Sequence, residues 1–89
     1  MSEKGSMDEI INTIKEILFD VMGAEINDLN INLFSRKYEC NAGDMIILIM
    51  ELKKKYNISV ERLVDNIKEY SVNSISEEVY KQISEGLAA

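Results

Sequence analysis

Residues 41–56 read Asn41-Ala-Gly-Asp44-Met-Ile-Ile-Leu48-Ile-Met-Glu-Leu52-Lys-Lys-Lys-Tyr56, and this stretch carries both ends of a helix as well as its middle. Asn41 is a good N-cap, and Asp44 puts a carboxylate into the first turn, where unpaired backbone N–H groups and the positive end of the helix dipole favour it. Lys53, Lys54 and Lys55 fall in the last turn, where cations are favoured, and Asn57 follows as a left-handed cap. At 100° per residue Met45, Leu48, Ile49, Leu52 and Tyr56 share one arc, which is the expected core face. The opposite arc carries Ile46, Ile47 and Met50 beside Lys53 and Lys54. Two isoleucines and a methionine gain nothing from facing water. Either a neighbouring loop or helix of the same chain covers them, or a partner does.

The rest of the chain is readable as packing around that helix. Eighty-nine residues, 46% of them hydrophobic, make one domain with a small core, since a chain this short buries only about 60–65% of its unfolded surface. No proline, four glycines and few aromatics suit a bundle of short helices better than a sandwich or barrel.

Upstream, residues 1–6 read as a polar tail, and Met7 offers an alternative start. Ser6 and Glu9 have the spacing of a capping box, and Ile10, Ile11, Ile14, Ile17, Leu18 and Val21 repeat as one helical face, predicting a helix from Met7 to Met22 closed by Gly23. From Ala24 to Cys40 periodicity is lost and Asn and Asp accumulate, predicting a long loop anchored by Ile26, Leu29, Ile31, Leu33 and Phe34. Asp28, Asn30, Asn32 and Glu39 occupy positions of a calcium loop, but Leu33 stands where its sharp turn requires glycine, so no metal is expected.

Downstream, Ser59 caps a short helix with Val60, Leu63, Val64 and Ile67 on one face. A break at Tyr70–Ser74 precedes a final helix carrying Ile75, Val79 and Ile83, with Ser71 or Ser74 as its cap and Gly86 as its stop. The expected domain thus spans 7–86 and is all-α.

Composition narrows function. With no histidine and a single cysteine, Cys40, the usual general bases, nucleophilic dyads and transition-metal ligands are nearly all missing, so the chain is not expected to be an enzyme. A net charge of −6 argues against nucleic acid. Residues 36–62 carry six basic and four acidic side chains, a local balance of +2 that leaves −8 for the remainder. The polar start has no signal-peptide core and no apolar run reaches membrane-spanning length, so a cytoplasmic monomer without membrane contact is expected.

The helix order, the long first loop and the 41–56 stretch together resemble the acyl carrier protein family, four-helix bundles with a long loop between their first two helices. The similarity runs over about residues 7–84. Phe34 sits ten residues before Asp44, as a loop Phe does before the second Asp of the family's Asp-Ser-Leu-Asp motif. Leu48-Ile-Met-Glu-Leu-Lys-Lys-Lys-Tyr-Asn-Ile58 is similar to the family's second helix, and Tyr70-Ser71-Val72 resembles the start of its last. The resemblance implies a phosphopantetheine arm on a serine, but Asn41-Ala42-Gly43-Asp44 places Ala42 at that serine, and an alanine methyl has no oxygen to phosphorylate. No cofactor is therefore expected. Gly43 for Leu and Asn41 for Asp read as natural divergence rather than an engineered block.

The family's second helix is acidic and docks on basic enzyme surfaces. Here Ile47 and Lys53–Lys55 stand at usual acid positions, which implies a partner surface that is acidic and apolar. The subgroup it looks closest to comprises divergent carrier-related proteins of bacterial peptide maturation systems, which implies a biosynthetic or maturation enzyme as partner. The leading expectation is a non-catalytic module binding a protein through Ile46, Ile47, Met50, Lys53 and Lys54. Two alternatives stay open: a carrier with non-standard attachment at Cys40 or Ser35, and an unrelated small helical regulator.

Overall fold

Helix α1 (Met7–Met22) opens where Ser6 leaves the helical region and its Oγ accepts from the Glu9 N–H at 3.2 Å. It closes where Gly23 turns left-handed at φ 71° and donates to Phe19 O. In the computed structural model, which describes residues 6–88 and the side chains of 6–86, three further helices follow: α2 (Ala42–Tyr56), α3 (Val60–Asn66) and α4 (Val72–Ala88). Of the expected tail at 1–6, residues 1–5 lie outside the described residues, and Ser6 belongs to the helical domain as the cap of α1. The chain is a small all-helical bundle with no strand among those residues, and none of its described helices is long and apolar enough to cross a membrane.

α1 is the central member. It packs extensively against both α2 and α4, while the short α3 makes smaller contacts with the same two helices. The period of α1 explains this, because Ile10, Ile14 and Leu18 are fully buried at spacings of four while Ile11 and Ile17 flank them half-buried. α2 answers with Met45, Leu48, Ile49 and Leu52, and α4 with Val72, Ile75 and Val79. Each such side chain contributes about 1.5–3 kcal/mol when fully removed from water. Tyr56 lies half-buried at the end of the α2 face, its hydroxyl 3.1 Å from Thr13 Oγ1 of α1.

The 24–40 segment is a loop, as its composition predicts, and its turns are tied down polar group by polar group. The Tyr38 hydroxyl accepts from the Asn27 and Asp28 N–H groups. Asp28 Oδ1 accepts from Asn30 N, Asn32 Oδ1 from Phe34 N, and Asn30 Oδ1 from Asn73 Nδ2 of α4. Side-chain oxygens at three calcium-loop positions therefore close turns or tie the loop to α4.

Several local expectations need correction. Phe34 does not insert between the helices: it is 42% exposed, with its ring edge-on to Tyr70 at 5.4 Å. The buried anchors are Ile26, Leu33 and Cys40. Leu33 is pinned inward because its N–H donates to Tyr70 O while its carbonyl accepts from Cys40 N, and the Asn32 side chain then turns Phe34 away. Ile31 is only half-buried. In α3, seven residues present one buried side chain, Leu63, flanked by Val60 and Ile67; Val64, 100° further round, is exposed. Of the two caps the sequence offers for α4, Ser71 is the one used: its Oγ accepts from Ser74 N and its carbonyl accepts from Ile75 N. Gly86 does not stop it, because its φ is not positive, and the helix runs on to Ala88.

Candidate functional site

The start of α2 is built as the sequence indicates. Asn41 Oδ1 accepts from Asp44 N at 2.8 Å, and Asp44 Oδ2 accepts from Asn41 N at 3.3 Å, so two otherwise orphaned donors are satisfied reciprocally. Ala42 and Gly43 sit exposed in this first turn. A Cβ at Gly43 would lie 3.2 Å from Asn41 Oδ1, tighter than ordinary contact, so glycine leaves the capping oxygen undisturbed. The four motif residues thus form a closed cap with a bare methyl at the surface.

Neither alternative attachment residue has the environment of a nucleophile. Cys40 is 4% exposed, and its Sγ lies 3.6 Å from Asn41 O. Burial raises its thiol above the ordinary value of 9.0, and the Asp44 carboxylate pushes the same way. The thiolate needed for thioester chemistry is therefore disfavoured. Ser35 Oγ is buried without a hydrogen-bond partner, out of reach of a modifying enzyme. Among the described residues no group of three or more Cys, Asp or Glu gathers in metal-ligating proximity.

The outward face of α2 is open. Ile46, Ile47 and Met50 are 61%, 47% and 48% exposed, so neither the long loop nor another helix of the described chain covers them. Positions 46, 47, 50, 53 and 54 fall on one helical face, and the structure places all five predicted side chains there, with Lys53 and Lys54 continuing the apolar patch toward the C-terminal end of α2. Lys54 Nζ lies 3.8 Å from Glu51 Oε2, a solvent-exposed pair of small energetic weight. Lys53 and Lys55 join no ion pair among the described residues. The face can offer apolar contact and positive charge, and it holds no reactive group.

A second surface was missed by sequence reasoning. Between α1 and the start of the loop after it, an open groove of about 600 Å³ is lined by Phe19, 56% exposed, together with Lys15, Glu16, Asp20 and Glu25, and by no residue of α2. The available signal was Phe19 itself, an aromatic side chain off the apolar stripe of its helix.

In comparisons with known proteins, no family model matches the chain, and neither the curated proteins nor the solved structures yield a match.

Proposed function

We propose that this chain is a non-catalytic interaction module on a carrier-like helical bundle, binding a protein partner through Ile46, Ile47, Met50, Lys53 and Lys54 of α2. The observation that carries the reading is the uncovered apolar face of α2, half or more exposed at Ile46 and close to half at Ile47 and Met50. The adjoining lysines select a partner surface that combines carboxylates with apolar side chains, by complementarity. An enzyme of a peptide maturation system is the partner class that the sequence resemblance suggests.

The carrier alternative is the weaker reading. Ala42 supplies no hydroxyl, Ser35 Oγ is buried, and Cys40 is both buried and held protonated. The absence of histidine from the sequence supports a binding role rather than acid–base chemistry.

The test pairs capture with mass. Wild type and Ile47→Glu are used as baits in extracts of the native host, and both are incubated with a phosphopantetheinyl transferase and coenzyme A. A partner retained by wild type and lost by the variant, at equal melting temperature and with no mass increase, supports the reading. A pantetheine adduct on wild type overturns it.

A further inference from the structure

We propose that the α2 face of one molecule docks onto the groove beside Phe19 of a second copy, joining copies head to tail. The proposal rests on α2 being a docking face and names one surface that fits it. The two surfaces complement each other in both respects that matter. The α2 face offers Ile46, Ile47 and Met50 with Lys53 and Lys54 against a single carboxylate, Glu51; the groove offers Phe19 with Glu16, Asp20 and Glu25 against a single cation, Lys15. Apolar centres therefore meet while the charged rims are opposite in sign.

No α2 residue lines the groove, so the two surfaces of one molecule do not cover each other and the contact is between copies. It is heterologous: each molecule uses one surface as donor and the other as acceptor, and the contact propagates unless a ring closes. The α2 face presents five side chains and the groove is lined by seven residues, against the roughly 20–30 a side of a standard specific interface, which makes the association weak and reversible. The net charge of −6 also opposes it at long range, and about 0.15 M salt screens that repulsion beyond roughly 8 Å while sparing groups in contact. The expected monomer is then the dilute species.

Sedimentation analysis at about 0.15 M salt, from about 10 μM to about 1 mM protein, spans contacts of this strength. Wild type is expected to gain weight-average mass with concentration. Ile47→Glu, which spoils the α2 face, and the double variant Glu16→Lys with Asp20→Lys, which reverses the groove, are each expected to remain monomeric alone. Mixed one to one, they retain one good surface of each kind and are expected to form a heterodimer that grows no further. All three positions are exposed, and circular dichroism melting confirms that both variants fold. A wild type that stays monomeric at the highest concentration, a variant that associates alone, or a mixture that stays monomeric overturns the proposal. The underlying reading fails separately: if Ile47→Glu still captures the host partner that wild type captures, α2 is not the docking face.

Discussion

Gln82 of α4 grips both backbone polar groups of Ser59: its Oε1 accepts from the Ser59 N–H at 2.7 Å and its Nε2 donates to the Ser59 carbonyl at 3.1 Å. The amide replaces a strand-like pair of backbone bonds and fixes the start of α3 against α4. Arg62 adds an exposed bond to Glu85 at 2.6 Å. Replacing Gln82 with leucine leaves both part-buried bonds to the Ser59 backbone unmade, at a cost of about 2 kcal/mol. For a domain of this size that is roughly 8–16 °C of melting temperature. Arg62→Ala, by contrast, is expected to cost less than about 1 kcal/mol. Urea titration of the two variants checks the contrast.

Ile47 and Leu48 are chain neighbours with opposite fates, 47% and 0% exposed. Ile47→Glu is expected to change stability by no more than about 0.5 kcal/mol, whereas Leu48→Ala should cost about 2–5 kcal/mol through lost burial and the cavity left behind. Thermal unfolding separates the two outcomes, and a large loss in Ile47→Glu would mean that the α2 face is structural.

The Asn41–Asp44 box makes the α2 start sensitive to its cap. Asn41→Ala is expected to cost about 1 kcal/mol. Gly43→Ala gains helix propensity of up to about 1 kcal/mol but crowds the capping oxygen at 3.2 Å, so its net effect should be near zero in wild type and stabilising once Asn41 is alanine. A double-mutant cycle measured by denaturant unfolding reads this coupling directly.

Cys40 should make stability fall in alkali. Its folded-state value is raised by burial and by Asp44, so above pH 9.0, the ordinary thiol value, the unfolded chain loses the proton first. The stabilising difference is complete below that pH and is lost as pH rises through the folded value. Cys40→Ala is expected to flatten the stability slope just above pH 9.0, and native wild type should react slowly with a thiol reagent at pH 8 until denatured.

Much of the fold was legible because the signals were local and redundant. α1 and α2 each announce themselves by a cap, a period and a terminating residue, and these agree. The α2 face was legible for the same reason, since 3.6-residue periodicity leaves Ile46, Ile47 and Met50 with nowhere to hide. Where signals came singly they misled. Leu33 and Phe34 are equally apolar in sequence, and only hydrogen bonds to Tyr70 and Cys40, distant or non-periodic in the chain, decide which of them turns inward. Gly86 has the composition of a stop but no positive φ. Val64 shares the apolar character of Val60 and Ile67 but sits 100° round from Leu63, where it is exposed. The groove beside Phe19 is assembled from α1 and the loop after it, and no repeat along the chain marks such a juxtaposition.

The long loop is stitched to the first turn of α4 and the residue before its cap: Leu33 N to Tyr70 O, Asn73 N to Leu29 O, and Asn73 Nδ2 to Asn30 Oδ1, the last across 43 residues of sequence. A nascent chain therefore cannot lock residues 29–33 until Asn73 has cleared the ribosome, however early α1 coils. Ribosome-arrested intermediates halted before that point should leave this segment open to protease, and release of a few more codons' worth of chain should close it.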